Sequence, residues 1–456
     1  MVQREISYLL FGWLHSLVWS SKTSFLAFKL CQRLSSVTWE VKGLCQEGKR
    51  KKMDRNVDEE IVIVGAGICG LATALALHRK RIKSVVLERS ETVRATGAAI
   101  IVQANGWHAL DQLGIGSTLR ETAIPIQRGR FISLNEAEPM EFPFGVNQEF
   151  RCLKRTDLVK VMADNLPTGT IRTNCQVLSI DLDPVTKFPH LMLSNGTVIH
   201  AKVVIGCDGV NSAIGSMFGL YRTTLSLFST CVARGFTNYP NGHQFASEFV
   251  MMSRGQVQLG RLPVTDKLVY WFVTRLRTSR DSTIWKDPVL IRQSLMESMK
   301  GFPEGAMDMI KNCNLSFLHL TELKYRPPWE LLFNSFRKGT VTIAGDAMHA
   351  TGPFVAQGGS ASIEDGIVLA RCLAQKKFNN AKKTDETEIN IAVAEEAFDQ
   401  YVKERKMRNF WLSFHSFLVG KKLDTKSSII RFIIIAIMST LFRDPDWHSR
   451  YHCGNL

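Results

Sequence analysis

A strand, a glycine-rich turn and a helix follow one another in EEIVIVGAGICGLATALALHRK, residues 59–80. The unbroken apolar run 61–64 predicts a buried strand, and helix-forming residues come after the glycines. Gly65 allows the tight turn, Gly67 lets the backbone approach a pyrophosphate, and Gly70 lets helix and strand pack closely. The phosphates would lie at the helix N-terminus, where N–H groups favour anions. The pattern predicts an α/β protein that binds a dinucleotide.

An acidic residue in the expected place supports this prediction. The second strand, SVVLE, ends at Glu88, which lies 18 residues after Gly70. A carboxylate at this position accepts hydrogen bonds from the ribose hydroxyls of a bound nucleotide. The combination favours a nucleotide site over a glycine-rich turn without a ligand.

Two later segments also bring polar residues to the ends of predicted strands. KVVIGCDGVNSAIG, residues 202–215, ends its strand at Asp208 and Gly209, and VTIAGDAMHATGPFVAQGGSASIEDGIVLA, residues 341–370, does so before Asp346. Open α/β sheets bind ligands at the carboxyl ends of their strands. Alone, Asp208-Gly209 reads as an ordinary turn, and residues 341–370 are also compatible with a strand, loop and helix that bind no ligand.

Taken in order, GAGICG, CDGVNS and GDAMHATGPFVAQGG resemble the class A FAD-dependent monooxygenases, the aromatic-ring hydroxylases that include p-hydroxybenzoate and salicylate hydroxylases and zeaxanthin epoxidase. The resemblance covers roughly residues 58–415, and GDAMHATGPFVAQGGSASIEDGIVLARCL looks most like the plant monooxygenase 1 branch. It implies an α/β fold with a Rossmann-type FAD-binding domain, an interleaved β-sheet substrate domain as in p-hydroxybenzoate hydroxylase, and C-terminal helices.

The resemblance also implies which residues contact FAD. The ADP pyrophosphate would lie against the three glycines of the first motif, and Glu88 would hold the adenosine ribose with Arg89 beside it. Arg155, which starts the helix in RCLKRTDLVKVMADNL, would contact the cofactor, and Val177 would contact adenine through its backbone. Asp208 in the second motif is a further expected cofactor contact.

The third motif would surround the flavin itself. The resemblance assigns Asp346 to the ribityl chain and Pro353 to the side of the flavin where oxygen reacts. Gly358 and Gly359 would present backbone amides to the pyrimidine end. These amides suit reduced flavin, which is anionic, because a helix N-terminus favours negative charge. Asp365, farther along the helix, is expected to be structural and away from the cofactor.

One position departs from the family pattern. The second motif usually reads Asp-Gly-x-x-Ser-x-x-Arg, but Ser212 is followed by Ala213, Ile214 and then Gly215 in place of the arginine. This change puts the strength and cofactor preference of nicotinamide binding in doubt. No second GxGxxG motif follows a strand, so NAD(P)H would have no Rossmann domain of its own.

The reaction implied by the resemblance is an NAD(P)H- and FAD-dependent monooxygenation. NAD(P)H would reduce FAD, O2 would add at flavin C4a, and the hydroperoxide would hydroxylate a small, salicylate-like aromatic substrate. The alternatives are an isoprenoid epoxidase like zeaxanthin epoxidase and a flavin-binding regulatory protein with little turnover. The protein supplies binding, orientation and exclusion of water, and no catalytic acid or base is assigned.

The segment 226–277 has β-branched and aromatic stretches separated by Gly, Pro and Asn, which predicts a second sheet. In the family such a sheet covers the flavin and builds the substrate pocket. Tyr270, Phe272 and His243 are the expected wall residues, although most side chains of this sheet would simply form its core. His349 is as compatible with a structural role as with catalysis.

Composition limits the partners. The net charge is +15, from 57 basic and 42 acidic residues, but the basic residues are dispersed, so nucleic acid is a poor candidate. The ten cysteines include no CxxC pair, which predicts neither a metal site nor a disulfide framework and favours a reducing compartment. The expected partners are a small-molecule substrate and O2, and the oligomeric state is unknown.

The chain divides into five predicted regions. They are an N-terminal extension (1–57), the first part of the FAD-binding domain (58–225), the substrate-domain sheet (226–329), the GD-motif part of the FAD-binding domain (330–405) and C-terminal helices (406–456). The extension is a transit peptide, an anchor or the result of a mis-assigned start, with Met53 as the actual start. An intracellular, cytoplasmic location is favoured, with plastid or mitochondrial location as the alternative.

The last region contains IIRFIIIAIMSTLF, residues 429–442. Arg431 interrupts this apolar stretch, which is too short to span a bilayer. A buried terminal helix is favoured over a peripheral membrane contact.

Overall fold

The computed structural model describes residues 56–93, 99–135, 138–144, 148–221, 225–384, 389–444 and 446–456. Its strands are β1 (Asn56–Val64), β2 (Val85–Leu87), β3 (Ala99–Val102), β4 (Arg128–Ser133), β5 (Met140–Pro143), β6 (Arg151–Lys154), β7 (Ile171–Arg172), β8 (Val177–Leu182), β9 (Pro189–Leu193), β10 (Val198–Gly206), β11 (Ser226–Asn238), β12 (Glu248–Arg254), β13 (Val257–Pro263), β14 (Leu268–Leu276), β15 (His319–Tyr325), β16 (Arg337–Lys338) and β17 (Val341–Ile343).

The α-helices complete the layers around these strands. They are α1 (Ile68–Arg79), α2 (Ala104–Gln112), α3 (Gly116–Arg120), α4 (Arg155–Asp164), α5 (Ala213–Met217), α6 (Asp281–Ile284), α7 (Pro288–Ser298), α8 (Glu304–Lys311), α9 (Glu330–Phe333), α10 (Asp346–His349), α11 (Gly358–Thr384), α12 (Ile391–Asp424) and α13 (Ser428–Leu441). Short 3-10 turns lie at Leu315–Phe317 and Pro353–Val355.

The first sheet has the strand order β16-β17-β10-β1-β2-β7, and β9 and β8 continue from β10. The central strands β2, β1, β10 and β17 are parallel, and their apolar residues are buried, as expected where helices cover both faces. The register aligns Val64 with Gly206 and with Leu87. The three polar segments identified in the sequence therefore meet at one edge of this sheet, and the predicted α/β fold is confirmed.

The second sheet runs β15-β11-β14-β13-β12-β4-β5. Side chains alternate between its faces, so Trp271 packs with the helices α6 to α8 while its neighbour Tyr270 packs toward β3 and β6. β4 and β5 come from the region 58–225, so this part of the chain already contributes to the second sheet before β11 begins.

The two C-terminal helices differ in burial. α12 packs along α11, and the predicted boundary between residues 405 and 406 falls inside it. α13 packs on α12 through Ile434, which is buried, but Ile429 and Phe432 are 74% and 72% exposed. The expectation of a buried terminal helix is therefore wrong. Its sequence is apolar on most sides, but among the described residues its buried contact is with α12.

The described residues allow the predictions about membrane spans, metal ligands and cysteines to be checked, but not those about the N-terminal extension. Residues 1–55 of the predicted N-terminal extension, Met53 among them, lie outside the described residues, and its last two residues, 56 and 57, begin β1. Within the described ranges, no helix is long and apolar enough to cross a membrane, and no group of three or more His, Cys, Asp or Glu side chains is arranged to hold a metal. The eight cysteines in these ranges are free thiols.

Candidate active site

The glycines of the first motif have different structural roles. Gly65 has a φ of +104°, and a Cβ there would lie 2.6 Å from the carbonyl oxygen of Cys207. A Cβ on Gly70 would overlap the carbonyl oxygen of Gly65. At Gly67, by contrast, a Cβ would find no atom of the described residues within 4 Å. Gly65 and Gly70 are therefore needed by the fold, while Gly67 borders open space at the start of α1, which fits a bound pyrophosphate.

Glu88 lies beside this turn. Its carboxylate accepts hydrogen bonds from the backbone N–H of Ala66 and from that of Ser90, both at 2.9 Å. Arg89 is exposed next to it. The structure thus brings Glu88 to the glycine turn, where its expected contact with ribose stays a prediction.

Asp208 holds its own turn together. Its carboxylate accepts hydrogen bonds from Ser212 Oγ at 2.5 Å and from the backbone N–H groups of Ala213 at 2.6 Å and Ile214 at 3.1 Å. These bonds fix the start of α5. Val177 is buried at the first position of β8. The cofactor contacts expected of Asp208 and Val177 stay predictions.

The structure gives a physical reason why residue 215 is glycine and not the arginine of the family pattern. A side chain at this position would overlap the ring of Tyr221, whose hydroxyl donates a hydrogen bond to the Ser212 carbonyl at 2.7 Å. The guanidinium carbon of Arg326 lies 3.8 Å from the centre of the same ring. The space beside Gly215 is therefore filled by an aromatic ring, and a guanidinium reaches this turn from a distant part of the chain.

The turn before Asp346 is held by buried charges. Gly345 has a φ of +62° and donates its N–H to Asp365 Oδ2 at 2.8 Å. The same carboxylate pairs with His349 Nε2 and with Arg405 Nε, both at 2.6 Å. Burial by itself raises the pKa of Asp365, but His349 and Arg405 outweigh it and hold the pKa well below its usual range. Asp365 and His349 therefore have structural roles.

Arg405 joins this turn to a second carboxylate. Its guanidinium lies 2.7 Å from Glu364 Oε2, and both side chains are fully buried. Asn105 Nδ2 donates to Glu364 Oε1 at 2.5 Å. The sequence analysis missed the role of Arg405. The available signal was the pair Glu364-Asp365 inside the apolar helix ASIEDGIVLA, since two buried carboxylates require a cation.

Asp346 itself is exposed, whereas residues 341–345 and 347–350 are buried. Its carboxylate acts on the guanidinium of Arg155, whose pKa is lowered by burial, raised in part by Asp346 and lowered further by Arg234. Asp346 begins α10 just after β17 of the first sheet, Arg155 begins α4, and Arg234 lies on β11 of the second sheet. The structure therefore brings Asp346 and Arg155 together and adds Arg234, which the sequence analysis missed.

The loop after Asp346 leads into the start of α11. Pro353 is exposed in a short 3-10 turn. A Cβ on Gly358 would meet only Thr351 Cγ2, at 3.8 Å, whereas a Cβ on Gly359 would overlap Ile100. Gly358 therefore leaves the N-terminus of a long helix open to an approaching ligand, and Gly359 lets this helix start pack against β3.

The expected pocket residues fall into two groups. Tyr270 and Phe272 lie on one face of β14 with ring centres 6.1 Å apart, and burial raises the pKa of Tyr270. His243 lies near Tyr239 and Phe245, which pack against the opposite face of the sheet, and its Nε2 is 2.7 Å from the Thr265 carbonyl. The structure does not bring His243 to the other two.

The comparisons with known proteins agree with this geometry. The family model described as "FAD binding domain" matches residues 58–385. The chain belongs to the class A FAD-dependent monooxygenases. It is 46% identical to Monooxygenase 1 of Arabidopsis thaliana over 87% of this chain and 99% of that protein, and 35% identical to Monooxygenase 2 of the same plant over 89% and 100%.

A solved structure extends the comparison to the fold. HpxO of Klebsiella pneumoniae, complexed with FAD and uric acid, superposes with a TM-score of 0.71 at 20% identity, covering 86% of this chain and 96% of HpxO. The cofactor of this monooxygenase is FAD, and the open space at Gly67 and Gly358 together with exposed Asp346 fits it.

Asp346→Ala should weaken FAD binding by this monooxygenase about 10- to 150-fold, because a hydrogen bond from a ribityl hydroxyl to a carboxylate is worth roughly 1.5–3 kcal/mol. Titration of the apoprotein with FAD measures the effect. Asp365 is unsuitable as the control because it holds the Gly345 N–H. Asp308→Ala, which removes an exposed carboxylate on α8, should leave FAD affinity unchanged. Equal affinities in the two variants would contradict the placement of the ribityl chain.

Proposed function

We propose that this monooxygenase uses NAD(P)H and O2 to hydroxylate a small aromatic acid of the salicylate type. The balanced reaction consumes substrate, NAD(P)H, H+ and O2, and it yields hydroxylated product, NAD(P)+ and water. Bound FAD supplies the chemistry that accepts hydride and activates oxygen. The chain would hold this cofactor through the Gly67 turn, Asp346 and the amide end of α11 near Gly358.

The proposed substrate class, an aromatic acid, rests on the position of Arg234. It lies on β11 opposite Phe272, and it is partly accessible between buried neighbours. Within the described ranges, no carboxylate forms an ion pair with it. A guanidinium in this position binds a carboxylate well, because its planar donors match the two oxygens and it is less strongly hydrated than an ammonium group.

Aromatic side chains continue the same face of the sheet. Phe272 lies opposite Arg234, and Tyr270 lies opposite Phe236. They offer a flat apolar wall for a ring whose carboxylate is held by Arg234. Burial raises the pKa of Tyr270, so its hydroxyl stays protonated at neutral pH and can donate a hydrogen bond to a phenolic oxygen. The uric acid bound by HpxO supports a planar, polar ring as the substrate.

A second basic side chain, that of Arg155 at the start of α4, lies near Arg234. Arg155 is close enough to Arg234 for the two positive charges to repel each other, and Asp346 compensates only part of this charge. The region between β11 and the start of α4 is therefore electropositive. Such a field favours an anionic substrate over a neutral isoprenoid.

Oxidation of NADPH and NADH by the holoenzyme should be accelerated by hydroxybenzoic acids and not by isoprenoids. Product analysis must show one added oxygen atom. Stimulation by isoprenoids alone would favour epoxidation instead, and FAD binding without stimulation by any ligand would favour a regulatory flavoprotein. The nicotinamide cofactor that supports the faster reaction decides between NADH and NADPH.

Arg234→Met should raise the KM for a stimulating hydroxybenzoate about 10- to 150-fold, since it removes a charge-assisted bond worth roughly 1.5–3 kcal/mol. The variant should retain its FAD. The KM for the corresponding benzamide, which carries no charge, should change little. Arg280→Met removes an exposed guanidinium next to α6 and is the matched control. A similar loss for acid and amide would mean that Arg234 does not bind the carboxylate.

A further inference from the structure

The outward face of α13 is apolar and uncovered among the described residues. Ile429, Phe432 and Ile433 are all exposed and follow one another at the spacing that places side chains on one side of a helix. On the opposite side Ile434 is buried against α12. The N-terminus of α13 is capped, since Ser427 accepts a hydrogen bond from the Ile430 N–H. The exposed face therefore belongs to a well-formed helix with a fixed orientation.

Within the segment 425–443, which carries this face, the charges have one sign, and the carboxylates on either side of it, Asp424 and Asp444, already contact Thr230 and Arg450. Residues 425–443 contain three basic residues and no acidic residue. Lys426 precedes the helix and Arg443 follows it, and both side chains are exposed. Arg431 lies between them and donates to the Thr425 carbonyl at 3.1 Å. An apolar face with a cation at each end is suited to a surface that combines hydrocarbon with negative charge.

We infer that α13 lies on the surface of an anionic lipid bilayer, with Ile429, Phe432 and Ile433 inserted between the acyl chains. Lys426 and Arg443 then contact the anionic headgroups at its two ends. The 14 residues of α13 span about 21 Å, which is less than the roughly 30 Å of a bilayer core, so the helix lies in the interface and does not cross it.

An aromatic side chain extends the contact beyond the helix. Trp411, on α12, is partly exposed, and its ring centre lies 6.1 Å from that of Phe442, directly after α13. Tryptophan rings are enriched at the level of lipid headgroups because they have both apolar and polar parts. Trp411 therefore lies at the border of the inserted face, as expected for an interfacial anchor.

A second copy of the chain fits this face less well. In a two-fold symmetric pair of antiparallel α13 helices, Lys426 of one chain would face Arg443 of the other. A parallel pair would place each cation opposite its own equivalent. Residues 425–443 provide no carboxylate, and the adjacent Asp424 and Asp444 are already engaged with Thr230 and Arg450, so either dimer would bring like charges together at both ends of the interface. A bilayer with anionic headgroups has no such conflict.

Sedimentation of the full-length holoenzyme with lipid vesicles tests the inference. The protein should bind vesicles of phosphatidylcholine and phosphatidylserine, and it should bind vesicles of phosphatidylcholine alone more weakly. Phe432→Ser should lower the partition coefficient about tenfold or more, because the variant lacks the phenyl ring that the unaltered protein buries among the acyl chains. The double variant K426Q/R443Q should lower binding to the anionic vesicles roughly fivefold per charge and should reduce its salt dependence.

The matched control is Phe333→Ser on α9. Phe333 is 70% exposed, almost as much as Phe432, but it lies on a different element. Its substitution should leave vesicle binding unchanged. Equal binding by the Phe432 and Phe333 variants would overturn the inference, as would absence of binding by the unaltered protein. A dimer that dissociates in Phe432→Ser without any vesicle binding would show instead that a second copy covers the face.

Discussion

Replacing Gly67 with valine should give a folded, colourless protein that no longer binds FAD. Gly67 has φ −79° and ψ −175°, an extended conformation that valine adopts readily, and an added Cβ meets no described atom within 4 Å. The valine side chain would occupy the space into which the pyrophosphate must move to reach the N-terminus of α1. We expect FAD affinity to fall at least about 100-fold, equivalent to about 2.8 kcal/mol.

Two measurements together test this prediction. The absorbance of the purified protein gives its flavin content, and urea denaturation of the apoprotein gives its free energy of unfolding, which should differ from that of the unaltered apoprotein by less than about 1 kcal/mol. Gly70→Ala is the contrasting variant, because its Cβ would overlap the Gly65 carbonyl oxygen and should destabilise the apoprotein itself. A yellow Gly67→Val protein with one FAD per chain would show that the pyrophosphate lies elsewhere.

Arg405→Met should have the largest effect on stability. The guanidinium contacts the carboxylates of Glu364 and Asp365, and all three side chains are fully buried. Removing one partner of a buried ion pair costs about 3–5 kcal/mol. The two carboxylates would stay buried with only His349 and Arg408 left to compensate them. We expect the free energy of unfolding to fall by this amount in urea denaturation. FAD affinity should also fall, since Asp365 would no longer be fixed against the Gly345 N–H.

The control for Arg405→Met is Arg450→Met. Arg450 pairs with Asp444 at 2.7 Å, but its side chain is 67% exposed, and exposed pairs contribute about 0–1 kcal/mol. The surface variant should therefore unfold at nearly the same urea concentration as the unaltered protein. A similar small change in both variants would mean that the buried carboxylates are neutralised in another way.

Local sequence patterns predicted the FAD-binding part of the fold well. The positive φ at Gly65 and the packing of Gly70 on the Gly65 carbonyl involve residues within a few positions of each other, and Glu88 comes directly after the next strand. Such constraints can be inferred from spacing alone. The order of the three motifs then indicated the family, which the comparisons confirm.

The substrate half could not be predicted in the same way. Arg155 and Arg234 are 79 positions apart in the sequence, and they approach each other only because β11 of the second sheet faces the start of α4. No local pattern encodes that packing. His243 shows the converse, because it belongs to the same predicted sheet segment as Tyr270 and Phe272, yet the loop between β11 and β12 places it beside Tyr239 and Phe245, which pack against the opposite face.

The error at α13 has a related origin. An apolar helix is normally buried, and composition alone therefore predicts burial. Whether a second element covers Phe432 depends on which elements pack there, and α13 has its main described partner in α12. Sequence can indicate that a face needs a partner, but it cannot supply the partner's identity.

The support that α12 gives to the Asp346 loop has a consequence for how the protein is made. Arg405 fixes Asp365 from one turn of this helix, and Ser416 Oγ donates to the Gly352 carbonyl at 2.6 Å from another. All three FAD motifs precede α12 in the chain and are therefore synthesised before it. A nascent or prematurely terminated chain that ends before Arg405 therefore carries every motif but lacks the cation that orders the loop. Cofactor capture should thus follow completion of the chain, so that unfinished copies do not withdraw FAD from the cell.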